Sequence, residues 1–548
     1  MTDKDPALEI DPARAREYYQ KGYWEKETIA ERVAKHAREK PGAVAYYTSH
    51  GAFTWRDYHD ASEKIADALS SIGLERGDRI AVLLPDGASV HAAFVGLEKA
   101  GFVIVGIGIR AGLSEITHIL NRTGARAMIS HASIRDLSAE DLASKLRAND
   151  LPDLFSIVIP ELQTEKDAPI TINGKPVTQP TIERHAPRGP DELFMINSTS
   201  GTTGLPKCVM HTQNRWVYFH KLAAEAGNFS EADIFLGLVP APYGFGLWTA
   251  HFSPTLLGCP TVLMDRFNAK HALDLVEMHK VSVVCCVSTQ FIMMLNERDE
   301  NPRDLTSIRC MFTGGEAVPA KRAAEFEDIT GGAVLQFYGS NETGALSRTT
   351  FSDSQEHRLT TAGKIIDEMQ VRLFDPETGA DITDTASTGQ PGCKGPALCL
   401  GYWNDPKANQ SLYTKDGYML MGDIVSINED GYLRVIGRTS EFIIRGGKNI
   451  SAAAVEEAVA THPGIALAAV VPVPDTVFGE RVCLYASPKP GYEITLETVV
   501  DHLASNGVSK EWYPEYFVAV DELPRSSGGK VSKAALKEDA KNRFATKA

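Results

Sequence analysis

Several short segments carry side chains able to handle phosphate, carboxylate or ribose. The densest is Ser198-Thr-Ser-Gly-Thr-Thr-Gly-Leu-Pro-Lys207, directly after the apolar stretch Leu193–Ile196. Thr199, Ser200, Thr202 and Thr203, set around Gly201 and Gly204, offer hydroxyl and backbone N–H donors, and Lys207 adds a cation, which suits a polyphosphate. It is not a Walker A loop, because two residues separate the glycines and Cys208, not Ser or Thr, follows Lys207. A second cluster, Gln336-Phe-Tyr-Gly-Ser-Asn-Glu342-Thr-Gly344, places an aromatic able to stack on a base, Tyr338, near an acid able to hold Mg²⁺, Glu342. Thr313-Gly-Gly-Glu316-Ala317 has the same strand-to-loop character. Asp423 can take ribose hydroxyls, and Arg438 and Arg445, the latter leading Gly446-Gly447-Lys448-Asn449, can accompany it or reach a phosphate. Finally, Leu523-Pro-Arg-Ser-Ser-Gly-Gly-Lys530 sets a lysine at the tip of a glycine-serine loop, within a tail from 521 to 548 that holds seven Lys or Arg against four acids. That loop can bring a cation to a distant anionic site.

These segments need elements to aim them. Between Leu74 and Ser130 the pattern predicts a strand over 79–84, a helix over 88–100, a strand over 102–105, a helix over 113–123 and a strand over 127–130. Such alternation implies parallel strands with helical crossovers. Residues 151–191, rich in proline and polar side chains, read as a long surface excursion. The rhythm resumes with strands over 259–264, 281–287 and 305–312 and a helix over 269–279. After about Gly363 short alternating strands broken by glycine and proline predict a small β-rich subdomain, and the last hundred residues predict a compact α+β lid. The fold class is therefore α/β, with two α/β subdomains and a β-rich one, followed by the lid.

The whole chain sets outer bounds. Its 548 residues allow three or four domains at ~100–200 residues each. A net charge of −15 opposes nucleic acid or an anionic membrane surface as main partner, while leaving room for a local basic site. The eight cysteines lack any CxxC pair and read as buried thiols; with no cationic-then-apolar leader at the N-terminus, the reducing cytoplasm is expected. The segment 234–264 is free of Asp, Glu and Lys and long enough to span a bilayer, but its prolines and glycines predict loops and short strands buried in the protein instead. Gly106-Ile-Gly-Ile-Arg-Ala111 matches a dinucleotide fingerprint, yet the following strand ends without a ribose-binding acid, so a nicotinamide enzyme is disfavoured.

Taken in order, Thr199–Lys207, Tyr338-Gly-Ser-Asn-Glu342, Gly422-Asp423, Gly437-Arg438, Arg445-Gly-Gly-Lys-Asn-Ile and Pro524–Lys530 resemble the adenylate-forming (ANL) superfamily, in its acyl-CoA synthetase and aryl-acid ligase branch, over essentially the full length. Phe53-Thr-Trp-Arg-Asp-Tyr is similar to an early segment of that family. The resemblance implies an N-terminal adenylation domain over 1–437, a mobile C-terminal domain over 438–548 and a hinge at Ser440. By the same resemblance, Thr199 to Gly204 and Lys207 grip the phosphates of ATP. Gly315, Glu316, Ala317 and Tyr338 flank adenine, Gly339 and Asn341 complete the nucleotide site, Glu342 holds Mg²⁺, and Asp423 with Arg438 holds ribose. Lys530 bridges the carboxylate and the α-phosphate, and the side formed by Arg445, Gly446, Gly447 and Lys448 admits the thiol of coenzyme A.

The acyl pocket implied by the resemblance involves Tyr243, Phe245, Gly246, Trp248, Gly314 and Ser340, with His220 and His251 nearby for polar substituents. An aryl, alicyclic or other compact hydrophobic acid is favoured. The alternatives are an aryl-acid activator loading a separate carrier protein and a fatty acyl-CoA synthetase; a non-enzymatic ATP-binding relative is opposed by Lys530, Glu342, Asp423 and Arg438. Several positions depart from the family pattern. Cys208 replaces glycine, Asn341 replaces threonine, Ser440 replaces a charged hinge residue, and Ala452 and Ala454 stand for proline and glutamate.

Overall fold

The computed structural model describes residues 10–149, 151–177, 183–198, 206–316, 318–438, 441–445, 448–525 and 531–544. Apolar stretches of three to five residues become the interior strands of two large sheets. The first sheet runs Lys175–Pro176, Thr171–Ile172, Phe155–Val158, Ala127–Ser130, Arg79–Val82, Val103–Gly106, Met195–Ser198, Cys208–His211. Its strands from Phe155–Val158 to Met195–Ser198 are parallel. The second runs Lys364–Ile365, Gly344–Arg348, Ala333–Ser340, Cys310–Gly314, Val283–Cys285, Phe235–Gly237, Thr261–Leu263, Val44–Thr48, Gly51–Thr54, parallel in its interior and antiparallel at both edges. Interior strands such as Ala127–Ser130 and Cys310–Gly314 are buried along their whole length, as sheets covered on both faces require.

Helix positions follow local chemistry closely. Leu113–Thr123 ends at Gly124 in the left-handed region, and Ala269–His279 starts at Asn268, whose side chain accepts from the His271 N–H. The Phe53-Thr-Trp corner is a strand-to-helix junction. Thr54 and Asp57 form a reciprocal cap on Trp55–Ser70, while Phe53 and Trp55 are buried, so this segment is architectural.

Two expectations fail. Within the expected surface excursion, Phe155-Ser-Ile-Val is a strand paired in parallel with Ala127–Ser130, its Ser156 and Ile157 buried. The neighbouring prolines at 152 and 160 mask a short apolar run, and only the open edge of the Ala127–Ser130 strand recruits it. The segment 234–264 is likewise not just loops and strands, because residues 244–257 are continuously helical with a π-helical stretch at Leu247–Phe252. Ser253 N–H donates to the Trp248 carbonyl five residues back, and Pro254 follows directly after this widened turn, as the second residue of the helical piece Ser253–Leu257.

The glycines of the discarded dinucleotide match have a packing role. A Cβ at Gly106 would lie 3.1 Å from Pro242, and one at Gly108 would lie 2.1 Å from the Tyr243 hydroxyl. They let the 240–243 turn approach the first sheet.

After the second sheet, Arg372–Phe374, Thr388–Cys393, Met419–Leu420, Asp423–Ile427 and Leu433–Arg438 form the expected β-rich unit. The C-terminal part is a sheet of Lys448–Ser451, Phe442–Arg445, Gly479–Pro488, Ile465–Asp475 and Tyr516–Ala519 with the helices Ala452–Ala460, Leu496–Ser505 and Lys533–Phe544. Along Ile465–Asp475, Val470 faces one apolar cluster while Ala469, Val471 and Val473 face the other, the period of two expected of a sheet covered on both sides. No helix among the described residues is long and apolar enough to cross a membrane.

Candidate functional site

The candidate side chains sit where strands stop. Met195–Ser198 and Cys208–His211 are antiparallel neighbours with Ser198 opposite Cys208, so the phosphate-type loop joins strand to strand, unlike a Walker A loop that feeds a helix. Thr199, Ser200, Gly201, Thr202, Thr203 and Gly204 lie outside the described residues. Beyond them, the Pro206 carbonyl is 3.1 Å from His118 Nε2, and the Lys207 ammonium stands 4.5 Å over the Tyr402 ring. The Tyr402 hydroxyl donates to Glu342 Oε1 at 2.8 Å. Burial and that carboxylate hold its phenol far above the ordinary value, so it remains a donor. Cys208 is buried and its thiol is pushed up to about 12, which makes it inert in the glycine's place.

Glu342 is aimed by its turn. Strand Ala333–Ser340 folds back on Gly344–Arg348, and Ser340 Oγ accepts the Glu342 and Thr343 N–H groups at 3.2 and 3.1 Å. Ser340 N–H donates in return to Thr343 Oγ1 at 3.1 Å. A Cβ at Gly339 would lie 1.7 Å from the Gly344 carbonyl, so only glycine lets the two strands close here.

One residue earlier, the Tyr338 hydroxyl donates to Asp423 Oδ2 at 2.8 Å, and Arg438 Nε lies 3.4 Å from Asp423 Oδ1. Asp423 and Arg438 face each other across neighbouring antiparallel strands. Burial, with Asp423 beside it, drives the Tyr338 phenol well up. Tyr338, Asp423 and Arg438 thus form one hydrogen-bonded group, next in sequence to the Gly339–Glu342 turn.

Gly314 presses against the Phe337 carbonyl, where a Cβ would come to 2.6 Å. After Gly315, the Glu316 carboxylate accepts from the Thr289 N–H and hydroxyl, each at 3.1 Å, at the first turn of helix Ser288–Glu300, where an anion is favoured. Ala317 lies outside the described residues.

In the aromatic segment Trp248 is completely buried, with Phe219, Phe245, Phe312 and Phe337 at ring-centroid distances of 4.9, 5.5, 5.6 and 5.6 Å. Phe245 is half-buried at the edge of this cluster. Gly246 allows the helix to pass its own entry strand, since a Cβ would meet the Val239 and Pro240 carbonyls at 2.2 Å. His220 Nδ1 pairs with Ser253 Oγ at 3.0 Å, and burial lowers its pKa to about 4. His251 stacks on His91 in the core, lowered to about 3 by burial.

Arg445 belongs to a different sheet. It donates to Glu515 Oε1 and to the Glu511 carbonyl, both at 2.6 Å, and Lys448 pairs with Glu511. Ser440, Gly446, Gly447 and Lys530 lie outside the described residues; Arg525 and Val531 bridge on either side of residues 526–530.

Sequence reasoning passed over Tyr402, which joins Lys207 to Glu342, and the buried polar run His211, Gln213, Asn214, Arg215. Gly401 is the only local mark beside Tyr402, and the polar run, whose residue types suit a solvated helix start, is interior.

The AMP-binding enzyme family model matches residues 33–403, and the model of the AMP-binding enzyme C-terminal domain matches 454–530. The medium-chain fatty-acid–CoA ligase of Escherichia coli (strain K12) is 29% identical over 98% of this chain and 94% of its own length. The vibriobactin-specific 2,3-dihydroxybenzoate-AMP ligase of Vibrio cholerae is 26% identical over 96% of each chain. The anthranilate CoA ligase AuaEII, solved in complex with anthranoyl-AMP, superposes with a TM-score of 0.83 at 22% identity, covering 94% of this chain and 98% of that one. A Tyr338 strand of one large sheet meeting Asp423 and Arg438 of the β-rich unit, followed by a C-terminal α+β sheet, accords with these matches: the chain belongs to the AMP-binding enzyme family.

Proposed function

We propose that this protein converts a carboxylic acid and ATP into an acyl-adenylate and pyrophosphate, then passes the acyl group to the thiol of coenzyme A with release of AMP. The observation that carries this reading is the chain of contacts from Lys207 through Tyr402 to Glu342, with Tyr338, Asp423 and Arg438 in a second group whose Tyr338 lies just before the Gly339–Glu342 turn. The first line suits phosphates and the second a ribose.

In this reading a carboxylate oxygen attacks the α-phosphorus and pyrophosphate leaves. Two anions must meet, so catalysis is electrostatic: residues 199–204 and Lys207 hold the phosphates, and Lys530 offsets the charge between carboxylate and α-phosphate. Glu342 offers one carboxylate, with Oε1 already held by Tyr402, and no group of three His, Cys, Asp or Glu side chains is assembled for a metal among the described residues. That donor set fits Mg²⁺ bound together with a triphosphate, where it would neutralise phosphate charge. Residues 1–437 act as the adenylation domain and 438–548 as a lid turning about Ser440. In the second step the thiol sulfur attacks the acyl carbonyl carbon, AMP leaves, and the Arg445–Lys448 side faces the incoming thiol.

The close packing of Trp248 against Phe219, with Phe245 at its edge, favours a compact cyclic acid over a long chain. Delivery to a carrier protein is the second reading, motivated by the dihydroxybenzoate-AMP ligase relative. All eight cysteines are free and buried, in keeping with a reducing cytoplasm. The test is acid-dependent exchange of pyrophosphate into ATP over aromatic, alicyclic and aliphatic acids, followed by AMP release with and without coenzyme A. Exchange with no acid would sink the adenylation reading; exchange without CoA-dependent turnover would point to a carrier protein.

A further inference from the structure

The helix Gln213–Gly227 begins one residue after the strand that follows the phosphate-type loop, and its first turn is polar yet interior. Arg215 is 1% exposed. Its guanidinium donates to the carbonyls of Ala397 at 2.8 Å, Asn341 at 2.8 Å and Glu342 at 3.4 Å, and to His211 Nδ1. That last contact fixes the tautomer of His211, whose Nε2 then donates to Asn197 Oδ1 at 2.7 Å. Asn197 Oδ1 also accepts from the Asn341 amide at 2.7 Å, and the Asn197 amide donates to the Pro242 carbonyl at 3.0 Å. One buried network therefore joins the strand entering the phosphate loop, the turn carrying Glu342 and the turn before the aromatic segment.

Every acceptor of Arg215 in that network is neutral, and its guanidinium forms no ion pair among the described residues. A guanidinium keeps its charge at neutral pH even in an interior, and its donors reach the backbone of Glu342, the carboxylate residue of the turn. An interior cation held only by neutral acceptors and the Trp216 ring, 4.8 Å from its guanidinium, is expensive, and it invites a counter-charge. A simple structural staple could use a neutral donor. The reaction proposed above brings a triphosphate and a carboxylate to the far side of the turn that Arg215 holds, and bound Mg²⁺ would draw on the charge of Glu342.

Resting on that reading, we propose that Arg215 is a positioning residue for adenylation. It is a standing cation behind the Asn341–Glu342 turn that orients Glu342 and whose charge is answered when the two anionic substrates bind.

Two variants separate charge from hydrogen bonding in the full-length enzyme: Arg215→Gln keeps neutral donors, and Arg215→Lys keeps the charge. The readouts are the rise in melting temperature on adding Mg²⁺ and ATP, and KM and kcat for ATP and acid in pyrophosphate exchange. We expect Arg215→Gln to lose at least half of the ATP-induced rise and to raise both KM values roughly tenfold, with Arg215→Lys within about threefold of wild type. Equal behaviour of the two variants, or a lowered melting temperature of the free enzyme with unchanged ligand-induced rise and KM, would overturn the inference. Wild-type enzyme that shifts with ATP but exchanges with no acid would instead overturn the adenylation reading, leaving the Arg215 comparison legible in the ATP shift.

Discussion

The turn at Glu342 and the Arg445–Lys448 side handle charge in opposite ways. Glu342 is fixed by Ser340, Thr343, Tyr402 and the buried Arg215 network, and its strand can close only because Gly339 has no side chain. Arg445 and Lys448 are satisfied by Glu515 and Glu511 near the surface, where Lys448 keeps 65% of its side chain exposed. Next to them Ile444, Val477 and Phe478 are exposed. The large domain holds the Glu342 turn in one geometry by interior contacts, whereas the C-terminal sheet holds charges near the surface that are cheap to re-pair. The proposed reaction, with nucleotide bound in one place and a lid that turns between two steps, would use both kinds of region.

That contrast can be broken most sharply at Lys530. Lys530→Ala should lower pyrophosphate exchange by ~10²–10³-fold while leaving thioester formation from supplied acyl-AMP nearly intact. Equal losses in both steps would show that the two regions do not divide the reaction. On the other side of the contrast, Gly339→Ala must move the Gly344 carbonyl from 1.7 Å, so it should lower stability by ~3 kcal/mol and remove exchange. A thermal melt matching wild type would show that the turn is softer than its contacts suggest.

The large domain also buries titratable groups whose effects on stability oppose one another as pH falls. His220 and His251 have folded values of about 4 and about 3, below the free imidazole, so the unfolded state takes up the proton first. Their contribution is whole above pH ~6.5 and is lost as pH falls toward the folded values, ~2 kcal/mol each by pH 5. Asp86 and Glu98, raised to about 7 by burial, act in the opposite sense over pH ~4 to 7. His251→Phe should therefore flatten the acid limb of a stability-against-pH curve; an unchanged limb would mean that His251 is not neutral in the fold.

Tyr402→Phe keeps the ring beneath Lys207 and removes the hydroxyl from Glu342, so exchange should fall ~tenfold, the worth of one hydrogen bond to a charged group. No change would detach Tyr402 from the site. The smallest effect belongs to the surface region: Lys448→Ala should alter stability by less than ~1 kcal/mol, measured by chemical denaturation. A larger loss would mean that this side is as rigid as the Glu342 turn.

Much of this organisation is legible along the chain. The helices at 113–123 and 269–279 match their sequence boundaries because a glycine stop and an asparagine cap are local signals. Phe155–Val158 and the helical stretch within 234–264 escape for the converse reason, since an open sheet edge and a π-register are set by partners remote in sequence. At the site, Glu342, between Gly339 and Gly344, and Asp423 and Arg438, each following a glycine, stand out by type and spacing. Tyr402 and Arg215 do not, because a tyrosine or an arginine carries no mark of being buried.

By itself the sequence determined the α/β alternation, the glycines at the strand ends and the order of the motifs, all of which depend on neighbours a few residues away. Only the tertiary structure decided that Tyr338 meets Asp423, that Tyr402 lies between Lys207 and Glu342, and that Arg215 stands charged behind the Glu342 turn. Those facts depend on which side chains share one low-dielectric interior, and distance in space, unlike spacing along a strand or helix, is written only in the folded chain.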